Sequence, residues 1–383
     1  MNFLLISEIQ PSSGTASSEI LKRHLERTGI KIHGIDESHP LITRGVIDHA
    51  ILSALGWFSK EIQQYYMESI EPILKSRIIA RRMRSKGIDL ILSLAHGRLG
   101  LHAWRVGKRL GIPTVTIFHD WWPEMVRSYR GGRDLVARLV EHDFKNAQRH
   151  SDLSLAVCPG MAQHLVYSKN VEVLYPIPDS HIKPRKSFSP SNALRVVYTG
   201  SLWNPYGEML MNLESQIHGD PSVVLNIHGD PKYIPMPHRD DLMSKGILQD
   251  YLSAEAYKIR VTDEADVLLA VMGGDSEGEI RMATSFPSKV ANYFQTGNVV
   301  LLWALPGSSL NQFCRDYNYP WFVESSNPAE VVSMLKRLSE DQAMMSQARS
   351  DAMRIRDEVF DPVKIQQQFE AALQRAVDNH KSR

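Results

Sequence analysis

Short apolar runs rich in Val, Ile and Leu recur along the chain between stretches of helix-period patterning, at residues 3–6, 30–35, 89–95, 114–119, 153–158 and 171–175. A second series follows at 195–199, 223–228, 267–272, 299–303 and 321–323. Runs that are apolar throughout, rather than alternating, predict parallel strands covered on both faces by helices. The pattern therefore predicts an α/β chain of two doubly wound, Rossmann-like domains. Between the two series, Pro176, Pro178, Pro184 and Pro190 punctuate a polar stretch with the composition of an inter-domain connection. The boundary falls near residue 190, giving a first domain over 1–188, a second over 189–358 and a C-terminal segment over 359–383. Within that segment, 362–377 predicts a helix with Ile365, Phe369, Ala372 and Leu373 on one face, able to pack on either domain.

A length of 383 residues agrees with two domains. With 44 basic against 43 acidic residues and 43% hydrophobic residues, the composition is that of a globular protein, and it excludes both a disordered chain and strong global attraction to nucleic acid. Cys158 and Cys314 are the sole cysteines, too few for a disulfide framework or a cysteine metal site, which fits a reducing, cytoplasmic compartment. The longest apolar runs, such as 299–305, fall short of the roughly 18 residues needed to cross a bilayer. The first residues read as a strand without a basic leader, so no export signal is expected.

In open α/β sheets ligands bind beyond the carboxyl ends of the strands, so the residues that end each strand carry the most information. After the first strand comes a Pro/Ser/Gly loop with Gly14, followed by a helix; this could bring backbone close to a phosphate, although an ordinary strand-to-helix turn reads the same way. The 114–119 strand delivers His119 and Asp120 to its end, beside Trp121 and Trp122. Aromatic faces that pack on C–H surface, next to groups that bond hydroxyls, suit sugar recognition. In the second domain, Tyr198-Thr199-Gly200-Ser201 and Ile227-His228-Gly229-Asp230 each place glycine directly after a strand, where backbone N–H groups can approach an anion.

The segment Pro287-Ser288-Lys289 has proline where it best opens a helix, and Gly297 stands where that helix would close. The helix start turns the N–H groups of Ser288 and Lys289 outward and adds an ammonium at the end that the macrodipole reserves for anions. That is the composition of a diphosphate site.

Taken in order, Phe118-His119-Asp120, the Gly200-Ser201 turn, His228-Gly229-Asp230, Gly246-Ile247-Leu248 and the block from Pro287-Ser288-Lys289 to Gly297 resemble GT-B glycosyltransferases of glycosyltransferase family 4, most specifically a Pro-Ser-Lys subset found in bacterial polysaccharide assembly. The resemblance covers most of the second domain and is sparse in the first. It implies two Rossmann-like domains facing across a cleft. The implied reaction is a metal-free, retaining transfer of a sugar from a nucleotide diphosphate-sugar to a glycan or lipid-linked acceptor. By the same resemblance the base lies near Gly229, Asp230, Ile247 and Leu248, and the diphosphate near Gly14, Gly200, Ser201, Ser288 and Lys289. His119 and Asp120 meet the donor sugar, and the final helix crosses back to the first domain.

The chain departs from the family pattern in two places. Where the family signature has two glutamates separated by seven residues, this chain has Thr284 and Asn292; Asn292 can still bond a ribose hydroxyl, though less firmly than a carboxylate. The cations that commonly follow the Gly200 turn are also missing, leaving Lys289, with Arg281, to meet the diphosphate charge. No two aspartates stand two positions apart, so the Asp-x-Asp motif of metal-dependent GT-A transferases is absent and no metal or other cofactor is expected.

Lys75, Arg77, Arg81, Arg82, Arg84 and Lys86 form a basic run with no acidic residue, interleaved with Ile78, Ile79, Ala80 and Met83. It reads equally as a solvated helix face or as a segment drawn to the anionic surface of the cytoplasmic membrane. Two rival functions share the expected architecture: a nucleotide-sugar 2-epimerase, and a non-catalytic nucleotide-sugar binder that has lost the glutamate pair.

Overall fold

A computed structural model of the protein describes residues 2–7, 16–29, 31–35, 46–130, 134–185, 193–203, 205–274 and 279–382. Gly14 and the sequence-read boundary near residue 190 lie outside the described residues. The chain divides into two compact units. Unit 1 comprises Met1–Tyr175, Thr284–Phe286 and Val363–Arg383, and unit 2 comprises Pro176–Ala283 and Pro287–Pro362.

Unit 1 is built on six parallel strands, β1 (Asn2–Ile6), β2 (Lys31–Ile35), β3 (Leu90–Leu94), β4 (Thr114–Phe118), β5 (Leu153–Ala156) and β6 (Val171–Val173), in the order β2-β1-β3-β4-β5-β6. Unit 2 repeats the plan with β7 (Leu194–Thr199), β8 (Val223–His228), β9 (Leu248–Gln249), β10 (Val267–Met272), β11 (Val299–Ala304) and β12 (Phe322–Glu324), ordered β12-β11-β10-β7-β8-β9. All eleven strands read from the sequence are present, and the expected α/β class of two doubly wound sheets is borne out. The twelfth, β9, has two residues, too few for any periodicity to show.

Helices cover both faces of each sheet, which is why the central strands are apolar without alternation: every residue of β3, β4, β10 and β11 is buried. The polar residues inside the unit 1 sheet satisfy one another. Ser93 Oγ lies 3.0 Å from Thr116 Oγ1, Thr116 Oγ1 lies 2.7 Å from Ser151 Oγ, and Ser151 donates to the Ala147 carbonyl.

The connection between the two series of strands packs on unit 2, which begins at Pro176. Two contacts hold it there. The Asp179 N–H donates to Asn292 Oδ1 at 2.9 Å, and Arg185 donates to the Ala265 carbonyl at 2.9 Å and pairs with buried Asp266 at 3.3 Å. The helix Pro362–Lys381 belongs to unit 1 from Val363 onward. Its Ile365, Phe369, Ala372 and Leu373 are buried, and Gln366 Oε1 lies 2.9 Å from Nδ1 of buried His24.

Candidate functional site

In unit 2 the strand order reverses between β7 and β10, the position at which open α/β sheets leave a crevice beyond their carboxyl ends. Lys289 is brought to the end of β7. The helix Ser288–Gln295 starts after Pro287, whose extended backbone (φ −64°, ψ 116°) sets the entry, and Thr296 and Gly297 (φ +73°) end it. From the first turn the Lys289 ammonium donates to the Thr199 carbonyl at 3.1 Å and sits 3.8 Å from the centre of the Tyr198 ring. A carbonyl and an aromatic face are neutral partners. Burial, with no carboxylate paired to it among the described residues, pushes this ammonium down to about 7.

The glycines around it are there for space. Gly200 has φ +136°, a region that L side chains avoid, and a Cβ on it would stand 3.0 Å from the Lys289 ammonium. A Cβ on Gly229 would lie 2.5 Å from the Gly200 carbonyl oxygen. The two glycines' own N–H groups are engaged within the sheet: Gly200 donates to the His228 carbonyl at 2.9 Å and Gly229 to the Gln249 carbonyl at 3.0 Å. Lys289, in the opening turn of the helix that starts at Ser288, places its ammonium beside this turn. Tyr293, one turn further on, accepts the Thr199 N–H at 3.0 Å and fixes the helix against β7.

Other expected donor residues are placed as follows. Ser201 is exposed on the turn after Gly200, and its hydroxyl accepts the Trp203 N–H at 3.2 Å. Arg281 stacks on Trp203 with its guanidinium carbon 4.7 Å from the ring centre, so a cation does stand beside this turn although none follows it in sequence. Asp230 is drawn into its own loop, accepting the Lys232 N–H and pairing with the Lys232 ammonium, which holds its carboxyl below the usual range. Ile247 receives the Ile227 N–H on its carbonyl at 2.7 Å, and Leu248 is buried in β9. Asn292 uses its amide oxygen on Asp179, so the ribose contact expected of that atom competes with a structural one.

In unit 1, β4 ends at Phe118 and the next two residues are His119 and Asp120. His119 is buried, and its Nδ1 has no hydrogen-bond partner among the described residues. Burial first, and then the neighbouring His96, push His119 down to about 4 against the pull of Asp120, so the ring is neutral. Asp120 Oδ1 accepts the Ser285 hydroxyl at 2.9 Å and its Oδ2 lies 3.4 Å from His96 Nε2. Burial alone would raise its carboxyl, but His96, His119 and Ser285 together hold it below the usual range. His96 is fixed by stacking on Trp122 at 5.0 Å.

The sequence reading named neither His96 nor Ser285. His96 stands two residues after the end of β3, in Ala95-His96-Gly97, close to the strand-end signal that singled out His119. Ser285 stands 165 residues from Asp120, in a three-residue segment that belongs to unit 1. Beside it Thr284, at the position of the family's first glutamate, is fully buried, and its carbonyl accepts the Cys158 thiol at 3.5 Å. Among the described residues no group of three His, Cys, Asp or Glu side chains is arranged to hold a metal ion.

Residues 20–178 match the family model described as Glycosyltransferase Family 4. All but residues 176–178 of the match fall in unit 1, whereas the resemblance read from the sequence lay chiefly in the second domain. No curated protein matches the chain in sequence. In three dimensions it is similar to sucrose-phosphate synthase from Thermosynechococcus elongatus, with TM-score 0.66, 13% identity and 98% of each chain covered. It is also similar to HepE from Anabaena in complex with UDP, with TM-score 0.63, 14% identity, and 98% of this chain and 100% of that one covered. A third is α,α-trehalose 6-phosphate synthase from Burkholderia multivorans, with TM-score 0.62, 12% identity, and 100% and 97% covered. At such identities the likeness establishes the fold, which is GT-B. On that fold, the family 4 domain match marks the chain as a glycosyltransferase.

Proposed function

We propose that the chain is a retaining, metal-independent glycosyltransferase that uses a nucleotide diphosphate-sugar and serves polysaccharide or glycoconjugate synthesis on the cytoplasmic side of a membrane, with a glycan or lipid-linked acceptor. The observation that carries this is Lys289, an ammonium half-buried at the switch point of unit 2 against a carbonyl and a ring, with no carboxylate paired to it among the described residues. An anion bound beside it would favour its charged form. The HepE structures with UDP and with UDP-glucose show that a protein of this fold takes such a donor.

In the reaction the bond from the anomeric carbon to the diphosphate breaks and one to the acceptor oxygen forms. The leaving diphosphate gains charge as the bond lengthens, and Lys289 with the first turn of its helix is pre-arranged to meet it. His119 and Asp120 are assigned to the hydroxyls of the donor sugar. The neutral imidazole can donate or accept, and the Asp120 carboxylate, held by Ser285 and His96, can only accept.

Buried His96 and His119 with half-buried Asp120 also give the 2-epimerase reading acid and base candidates close together. A thermal-shift screen against UDP, GDP, ADP, CMP and their sugar conjugates, with and without EDTA, tests the donor site. A shift with one nucleoside diphosphate, insensitive to EDTA and lost in Lys289→Ala, is expected. Absence of any shift would overturn the assignment. Appearance of a C2 epimer in the absence of an acceptor would move it to the epimerase.

A further inference from the structure

The basic run read from the sequence falls on the helix Glu71–Met83 of unit 1, and the structure sorts its residues into two faces. One face is anchored. Ile79 and Ala80 pack in a core cluster with Leu4, Ile6 and Ile91, and buried Glu71 holds Lys75 at 2.6 Å and Arg98 at 3.6 Å. On the opposite face Ile70, Leu74 and Ile78 are 38, 43 and 48% exposed, spaced at i, i+4 and i+8, and therefore aligned along the helix. Arg77, Arg81 and Arg84 interleave with them at helical spacing, and with Arg82 and Lys86 they are all exposed. Among the described residues none of these five cations has an ion-pair partner. Of the apolar residues that the sequence interleaves with the cations, Ile79 and Ala80 are buried in the core and Ile78 is exposed.

We infer that this face is a docking surface for an anionic lipid bilayer, with Ile70, Leu74 and Ile78 entering the interface and Arg77, Arg81 and Arg84 meeting lipid phosphates. Each half of the pattern excludes a different occupant. A solvated face has no use for three aliphatic side chains in a row at half exposure, and duplex nucleic acid, with its charged backbone, gives them no apolar partner. A lipid surface needs no pocket for an anchor residue. The chain as a whole is balanced at +1, so the attraction is local to this helix. No helix among the described residues is long and apolar enough to cross a membrane, so this face would hold the protein at the surface.

The test is sedimentation of the full chain with vesicles of phosphatidylglycerol and phosphatidylcholine in equal parts, against phosphatidylcholine alone, at about 0.15 M salt. Wild type is expected to bind the anionic vesicles and not the zwitterionic ones. Surface cations contribute about 1 kcal/mol each, so R77Q/R81Q/R84Q should weaken partitioning roughly 100-fold. I70S/L74S/I78S should abolish it, with both triple variants keeping the wild-type unfolding midpoint because the replaced side chains are exposed. Failure of wild type to bind, or equal binding by either triple variant, overturns the inference. So does equal affinity for duplex DNA, or a dimer that I70S/L74S/I78S dissolves, since these assign the face to another occupant. Vesicle binding is read without turnover, so the result is separable from the transferase proposal.

Discussion

Filling the anion site should make the protein take up a proton. With its ammonium brought down to about 7 by burial, Lys289 is about 90% neutral in the free protein at pH 8. A phosphoryl oxygen charge about 4 Å from the nitrogen contributes about 4 kcal/mol at an effective dielectric near 20, or roughly three pKa units, which returns the group to its ordinary range near 10. Binding a nucleoside diphosphate at pH 8 should therefore draw in about 0.9 proton, and Kd should rise up to about tenfold for each pH unit above 7. The sign is fixed by the charge: the protonated form binds, so raising pH weakens the complex. Titration calorimetry in two buffers of different ionisation enthalpy gives the proton count directly. The range from pH 8 to 9 avoids titration of the diphosphate itself. Lys289→Met should bind more weakly and show no buffer dependence. Tight binding by wild type with the same heat in both buffers would refute the placement of this ammonium against the diphosphate.

His119→Ala should keep nucleotide affinity and lose about 10²-fold or more in turnover, because it removes an orienting group. Since His119 is held neutral down to about 4, the wild-type rate should show no His119 limb between pH 5 and 8; a limb that this substitution removes would contradict its burial. Gly229→Ala forces a methyl to within 2.5 Å of a backbone carbonyl and should cost about 1–3 kcal/mol, read as a lower denaturant midpoint at unchanged slope. Asp266→Asn leaves Arg185 and Arg195 facing a neutral amide in a buried cluster and should cost about 3–5 kcal/mol. Burial would raise this carboxyl, but Arg195 and then Arg185 hold it low, so its contribution is full above the ordinary carboxyl range and lost as pH falls through the depressed value. Acid unfolding of Asp266→Asn should be correspondingly flatter, and a wild-type acid limb would count against the cluster.

The framework was legible because both sheets are buried on two faces, which turns strands such as β10 and β11 into unbroken apolar words. Lys289 was legible for a local reason: proline, serine, lysine and a closing glycine define a helix start without any knowledge of its surroundings. What stayed hidden was the use to which backbone groups were put. Nothing in Tyr198-Thr199-Gly200 reveals that the Gly200 N–H is spent on His228, since that depends on the register of β7 and β8. Asp120 was visible at a strand end, but its Ser285 clamp comes from 165 residues away and has no local signature. Which apolar residues of the basic helix meet the core was not legible, because periodicity gives the stripe but not which side of it is buried.

The path of the chain has a consequence for synthesis. Polypeptide passes between the units four times, after Tyr175, Ala283, Phe286 and Pro362, so neither unit is one continuous stretch. Buried His24 finds Gln366 only 342 residues later, and the helix Pro362–Lys381 covers it from there. On a translating ribosome, unit 2 can condense from chain already in hand, whereas the opening sheet must wait, with that flank bare, until residues 363–381 emerge. Contacts of such separation are slow to close. The half of the molecule made first is thus completed last, and a nascent chain stalled before residue 363 would present that uncovered flank to chaperones.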